Sequence, residues 1–331
     1  MTLAWTTFEL TTPLFNGDDP TTGLSVTSMR GVLHYWFRAL AAGRAGNDFT
    51  ALAEAEQAVF GSTKRASRVR MRLSDQPTDR MLVGVGDPAL AKGQDGKWVG
   101  YLLGQGLAAY EEGRVLTTRP HTRPGHTFTL RIGFSGDDAV DSLFLASLWL
   151  ACTYGGFGAR TRKGFGGVRL KYKEGPLPGP WNEHSPDTPG LEHYRTLEHL
   201  PVNGPLAKCA ELLEEVMREP KADAHDRIPD YPALGPGTST AAFGKLRSRQ
   251  WRWVANETGL MYREFRASQP HPNTKKRYEP KIKTPEHETV VHGRSGHFPL
   301  GALGLPVNYQ NDAIVNVFQG GEQARRASPL W

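Results

Sequence analysis

Apolar residues recur along the first half of the chain with two different periods. From Phe8 the run Phe8-Glu9-Leu10 alternates and closes at Thr12-Pro13, which predicts a short strand. After the loop Pro13 to Gly23, Ser25, Thr27 or Ser28 can cap a helix that carries Val32, Leu33, Trp36, Phe37 and Leu40 at three-and-four spacing, with Gly43 placed to stop it. A second helical stretch covers Phe49 to Val59 and gives out at Phe60-Gly61-Ser62. Val69, Met71 and Leu73 then alternate with Arg68, Arg70 and Arg72, the pattern of a strand with one basic face. Phe128, Leu130 and Ile132 predict a further strand, the apolar run from Asp141 to Tyr154 a helix, and Val168, Leu170 and Tyr172 a last strand.

The order strand, helix, strand, strand, helix, strand is that of a split βαβ, ferredoxin-like domain, with Ser74 to Arg123 as an insertion. The chain therefore reads as an α+β protein of two tandem domains. The first spans 1–173, and 174–200 is a proline-rich linker, since 174–190 alone holds five prolines that continue neither a helix nor a central strand. The second spans 201–331. There Asn203 is the expected cap of a helix with Pro205 in its first turn and Leu206, Cys209, Leu213 and Met217 along one face. Trp251 to Val254, Tyr262 to Phe265 and Ala313 to Phe318 read as short strands, and 268–288 as a basic loop with few large apolar residues.

Composition narrows the partners. With 331 residues, 38% hydrophobic and 22% charged, the chain has material for two cores and none of the bias of a disordered segment. Its 40 Lys and Arg exceed 34 Asp and Glu, a surplus that matters only where it clusters. Two cysteines, Cys152 and Cys209, exclude a disulfide framework and a Cys-rich zinc module. The longest apolar run, Leu143 to Cys152, is half of what a bilayer requires, and the start of the chain lacks a basic-then-apolar leader, so a cytoplasmic protein is expected.

The cations do cluster. Residues 155–168 contain six glycines with Arg160, Arg162 and Lys163; glycines such as Gly156, Gly158, Gly164 and Gly166 let backbone amides approach a bulky anion, and the cations add charge-assisted bonds to phosphate. The loop runs from a helix into a strand without a Gly-Lys-Ser/Thr ending, the reverse of a P-loop. Lys64, Arg65, Arg68, Arg70 and Arg72 fall within eleven residues without an acid, a phosphate-binding face or a charged edge that resists aggregation. Lys245, Arg247, Arg249 and Arg252 interleave with Trp251 and Trp253, as in single-strand binders or in an ordinary core. Arg30, His34 and Arg38 share one face of the first helix, where His34 is a phosphate contact or a general base without a visible acid partner. Asp18 and Asp19 can hold a metal or merely form a turn. No Cys/His metal spacing and no cofactor motif is present.

Several of these segments resemble the RAMP superfamily of CRISPR-associated proteins, and within it the first RAMP subunit of type III-B (Cmr) effector complexes. They are Thr12-Pro13-Leu14-Phe15-Asn16-Gly17, the helix segment Ser28 to Leu40, Phe60-Gly61-Ser62 and the glycine loop. Near the end, Leu303-Gly304-Leu305-Pro306-Val307 and Arg325-Arg326-Ala327-Ser328-Pro329 add to them. The resemblance implies two ferredoxin-like RAMP domains and a non-catalytic subunit. Such a subunit holds guide RNA, with target RNA a further partner, at the backbone end far from the guide's 5′ tag and beside other RAMP subunits. By the same resemblance Arg30, Arg38, Arg160, Arg162 and Lys163 face RNA. His34 stands where similar proteins usually have arginine. The chain stops just after Ser328-Pro329-Leu330, so the second domain is expected to lack a terminal strand or to be completed by a partner. The rival expectations are an endoribonuclease acting through His34 or through Asp18 and Asp19 with a metal, and an adaptor whose basic loops touch only proteins.

Overall fold

The computed structural model describes residues 3–16, 23–86, 96–104, 106–111, 114–190, 192–193, 202–235, 237–239 and 250–267, together with the strand segments 307–308, 314–315, 317–319 and 322–324. The chain divides into two compact units. One joins residues 1–84 to 119–245, and the other joins 85–118 to 246–331.

The elements of the first half are β1 (Leu3–Leu10), α1 (Val26–Ala45), α2 (Phe49–Phe60), β2 (Arg70–Ser74), β3 (Leu82–Val83), α3 (Lys97–Leu103), β4 (Ala108–Glu111), β5 (Arg114–Thr117), β6 (His121–Thr122), β7 (Thr127–Gly133), α4 (Asp138–Thr153) and β8 (Val168–Glu174). β2, β7, β1 and β8 form one antiparallel sheet in that spatial order. Counted along the chain, the order is second, third, first, fourth. Every second residue of β1 is buried, with Ala4, Thr6, Phe8 and Leu10 turned to the core and Trp5, Thr7 and Glu9 to the other face. Phe128, Leu130 and Ile132 of β7 and Val168 and Leu170 of β8 complete the inward face. α1 and α4 supply the opposing layer, with Leu33, Phe37, Leu40, Phe144 and Leu148 in the same core.

Local chemistry sets the helix ends. Ser25 caps α1 by accepting from Ser28 N–H at 3.1 Å, and Asp137 caps α4 by accepting from Val140 N–H at 3.2 Å. α1 continues through Gly43, which is exposed and tolerated inside the helix, and stops at Gly46, whose φ of +52° an L side chain adopts with strain. α4 is buried on every side from Ala139 to Cys152. Its one buried carboxylate there, Asp141, accepts from Ser135 N and Oγ and from Gly136 N, each at 2.8 Å, so the charge is solvated by the preceding loop. Burial pushes the Cys152 thiol well up and Cys209 up to about 12.

Several expectations from the sequence need correction. The proline-rich stretch is no boundary: Thr188 and Asp187 hydrogen-bond the backbone of Leu170 and Tyr172 along the outer edge of β8, and Trp181 is fully buried beside α4. A loop that covers an edge strand satisfies its unpaired backbone. The helix Pro205–Glu211 also belongs to the first unit rather than to a separate domain. It starts at Gly204 with no side-chain cap, not at Asn203, and gives way to a second short helix, Leu213–Val216, so Leu206, Cys209, Leu213 and Met217 reach the common core from two helices and the residue after them, not from one helical face. Asp48 fastens this segment. Its carboxylate accepts from Thr50 and Ala51 at the start of α2 and from Arg218 and Lys221 N–H, and these bonds outweigh its burial and hold it at about 2. Finally, the residues read as strands at 251–254 and 262–265 lie in one helix, Trp251–Ala267.

That helix packs on α3 in the second unit. Trp98 N–H donates to Asn256 Oδ1 at 3.0 Å, the Arg263 guanidinium lies 4.9 Å from the Trp98 ring centroid, and Gly259 lets the two backbones meet. The stretch read as a strand over 313–318 is two pieces with different partners. Ile314–Val315 pairs with Val307–Asn308, and Val317–Gln319 with Glu322–Ala324.

Candidate nucleic-acid interface

The glycine loop is organised by close packing against the segment that follows β1. Gly166 N–H donates to Pro13 O at 2.8 Å, Ala159 N–H to Phe15 O at 2.8 Å, and Gly167 N–H to Thr12 Oγ1 at 2.8 Å. Phe157 and Phe165 are buried anchors at either end. Three glycines exist for this contact: a Cβ at Gly166 would stand 1.8 Å from Phe157 O, at Gly158 2.5 Å from Phe15 O, and at Gly156 2.7 Å from Gly166 O. At these three positions protein backbone occupies the space a Cβ would take, so packing within the loop already accounts for the glycines. Gly164 differs. Its φ is +82° and nothing lies within 4 Å of a Cβ built there, so it is the glycine of the loop open to a ligand.

Between the anchors the chain makes a 3-10 turn, Thr161–Lys163, that carries the cations. Arg160 enters it at φ +63°, ψ +27°, one of two non-glycine residues with positive φ among those described. Left-handed backbone at a long cationic side chain is strain that surrounding structure must hold in place, and such strain concentrates at binding sites. Arg160 is exposed, and Arg162 and Lys163 are partly so.

The cations of α1 are arranged differently from the expected bare basic face. Glu56 projects from α2 and is itself buried. Arg38 grips it in bidentate fashion, Nε to Oε2 at 2.8 Å and Nη2 to Oε1 at 2.7 Å, and a hydrogen bond joins His34 Nδ1 to Glu56 Oε1. Burial alone would raise the Glu56 carboxyl, but the bonds and charges of His34 and Arg38 hold it below the usual range, and Glu56 in turn raises Arg38. His34 therefore has the acid partner that the sequence reading lacked. The signal was present: Glu56 shares a helical face with Leu52, Ala55 and Val59. Arg30 bonds the carbonyl of Phe60, the last residue of α2, where a cation also meets the negative helix end.

Of the second cluster, Lys64 and Arg65 are exposed on a turn closed by bonds between Ser62 and Arg65 in both directions. Arg68 pairs with Asp137 at 2.7 Å and so braces the cap of α4. Arg70 and Arg72 point out from β2 as expected. The structure thus gathers Arg30, His34 and Arg38 around α2, and Arg160, Arg162 and Lys163 around the loop. Asp18, Asp19, Lys245, Arg247 and Arg249 lie outside the described residues; Trp251, Arg252 and Trp253 sit on the helix of the second unit. Among the described residues no three His, Cys, Asp or Glu side chains converge to hold a metal, and no helix is long and apolar enough to cross a membrane.

The unit is a mixed helix-and-sheet fold with a glycine loop locked against the segment after its first strand, and the RAMP superfamily model matches residues 7–169. The chain is similar to the CRISPR system Cmr subunit Cmr1-2 of Pyrococcus furiosus, 31% identical over 173 residues, 49% of this chain and 92% of that protein. It is 26% identical over 221 residues to Cmr1-1 of the same organism, covering 64% of this chain and 60% of that one. The chain belongs to the RAMP superfamily, among the Cmr RAMP subunits related to Cmr1. Among solved structures, Cmr1 from Pyrococcus furiosus in its apo form aligns with a TM-score of 0.49 at 22% identity, over 80% of this chain and 72% of that one. A chain of the type III-B Cmr-beta complex bound to cognate target RNA aligns with a TM-score of 0.33 at 14% identity, over 53% and 55%.

Proposed function

We propose that the chain is a non-catalytic RNA-holding subunit of a type III-B CRISPR effector complex, acting in the cytoplasm in antiviral defence. Its first unit would be a ferredoxin-like RAMP domain, a reading supported by the spatial strand order second, third, first, fourth. A second RAMP domain is the corresponding proposal for the rest of the chain. The relatives are Cmr subunits, which supports other RAMP subunits as partners, and guide and target RNA are the partners this reading assigns. The site we assign is the turn Arg160 to Gly164, with Lys64 and Arg65 as further candidate contacts. The observation that carries it is Arg160, held in left-handed backbone on a loop whose neighbours are locked by buried Phe157 and Phe165. Contacts of this kind position RNA by its backbone and leave base identity to pairing. In the complex, the subunit would stand at the backbone end far from the guide's 5′ tag.

The test is binding of a processed guide RNA, with labelled target, at two salt concentrations. Changing Arg160, Arg162 and Lys163 to alanine together is expected to weaken binding and to lower the slope of log affinity against log salt by about 2, from roughly 0.7 per single-strand phosphate contact. Unchanged affinity and slope would sink the assignment.

The bond between His34 and Glu56 favours one other reading, an endoribonuclease in which Glu56 orients His34 as base on a ribose hydroxyl. It demands strand cleavage that persists in EDTA and disappears in His34→Ala. Intact strands in both proteins would remove it, while cleavage that needs a divalent metal would point to Asp18 and Asp19.

A further inference from the structure

The four-stranded sheet buries one face, and its other face is chemically specific. The register sets the outward side chains in rows. Arg72 of β2 stands opposite Arg131 of β7, which stands opposite Trp5 of β1, and Trp5 in turn stands opposite Glu174 at the end of β8, the one carboxylate of this row. The adjoining row reads Ser74, Thr129, Thr7, Lys171 across all four strands. The Arg131 guanidinium lies 3.9 Å from the Trp5 ring centroid, and its buried Nε has no acceptor among the described residues. Arg70, Arg72, Lys171 and Lys173 are exposed, while the carboxylate of Glu9 is paired with Arg169.

Two of these features disfavour the isolated fold. Like charges directly opposite on one sheet face repel, and a buried N–H without an acceptor forfeits a hydrogen bond. An anion above Arg72 and Arg131 would relieve the repulsion between them. The row of hydroxyls gives neutral donors and acceptors beside the cations, and the Trp5–Arg131 stack offers a planar surface of the kind on which bases stack. Arg72 and Lys171, on the outer strands and one row apart, are about 16 Å apart from three strand spacings and a two-residue offset along the strands, which leaves room for a nucleotide between them. An acidic protein segment would satisfy the cations but would make no particular use of the ring.

We propose that this face is a second site for single-stranded nucleic acid, in which a base stacks on the Trp5–Arg131 pair and Arg72 and Lys171 take the flanking phosphates. The proposal rests on the RNA-holding role inferred above but uses none of the loop's residues, so the two can fail separately.

The experiment uses the full chain and an oligouridine carrying 4-thiouridine, with polyglutamate of matched charge as competitor. Trp5→Leu is expected to weaken binding about 5- to 150-fold, the range for loss of one stacked base, with the salt slope unchanged. Arg72→Gln is expected to lower the slope by about 0.7. Because Trp5→Leu can also disturb the sheet, photo-crosslinking is read on the unaltered protein. Crosslinks in the peptides holding Trp5 and Arg131, which persist in the Arg160, Arg162 and Lys163 triple alanine variant, support the site. Crosslinks confined to residues 155–167 overturn it and leave the loop reading standing. Sheet crosslinks that polyglutamate abolishes at equal charge also overturn it, in favour of an acidic protein partner. Sheet crosslinks beside a triple variant of unchanged affinity keep this site and remove the loop.

Discussion

Replacing Gly166 by alanine separates the two uses of glycine in the loop. At φ +68° an alanine adopts left-handed backbone, which costs about 1–2 kcal/mol. Its Cβ also meets Phe157 O at 1.8 Å, so the backbones must separate. Two hydrogen bonds hold Gly166 in place, Phe157 N–H to Gly166 O at 2.9 Å across this contact and Gly166 N–H to Pro13 O at 2.8 Å on its other side. At about 0.5–1.5 kcal/mol each, their loss brings the total to about 2–5 kcal/mol. Gly164→Ala is the matched control: its φ is +82°, but open space surrounds the new methyl, so only the strain of about 1–2 kcal/mol applies. Equilibrium urea unfolding of both variants, with RNA affinity measured on each, gives the comparison. Gly166→Ala should lower the midpoint well beyond Gly164→Ala, whereas Gly164→Ala should weaken RNA binding more than its stability loss explains, since its methyl enters the space a phosphate would use. Equal midpoints for the two variants would refute the packing argument, and unaltered affinity in Gly164→Ala would refute the role given to that position.

Two further outcomes follow from the same geometry. Glu56→Gln removes the charge that joins α1 to α2 and should cost about 1–2 kcal/mol at neutral pH, held to the low end because Arg38 is half exposed. Since the folded carboxyl is depressed below its ordinary value of 4.5, its contribution is complete above that pH and is lost as pH falls through the folded value; the gap between wild type and variant in urea melts should close on acidification, and a constant gap would contradict the assignment. In the second unit, Gly259→Ala places a Cβ 2.2 Å from Trp98 O and should expose α3, raising amide hydrogen exchange over residues 97–103 while leaving α4 protected; unchanged exchange would mean that the helices do not meet there.

The elements of the sheet and its two principal helices were legible because each satisfies a local period and a local cap. Ser25 and the alternation around Phe128 to Ile132 carry their structure in short windows, whereas the stretch Leu206 to Met217 kept its buried positions but broke into two short helices. The helix at 251–267 was not legible, since Trp251-Arg252-Trp253-Val254 has the aromatic and β-branched content of a strand. Its conformation is accompanied by packing on α3, more than a hundred residues away. Prolines at 176–189 suggested a linker, but nothing local shows that Asp187 and Thr188 turn back to pair with β8. At the site, the cation-bearing loop was legible in composition, while the purpose of its glycines required knowing that Pro13 and Phe15 lie against it. Glu56 was visible as a carboxylate on an apolar face, and only the fold supplies its two partners.

The second unit is assembled from two stretches of chain separated by more than a hundred residues, and this has a consequence during synthesis. When α3 leaves the ribosome, the residue that receives its Trp98 N–H, Asn256, is 158 positions further along the chain. At about 5–20 residues per second the wait is roughly 8–30 s. Through that interval Trp98 and Tyr101 have no helix to cover them, so the nascent chain offers an apolar surface to chaperones or to other chains. Neither unit can be released by a single cut. Isolating the first requires joining Gly84 to Arg119 directly, a junction for which the ribbon of β3 and β6 already brings the ends together.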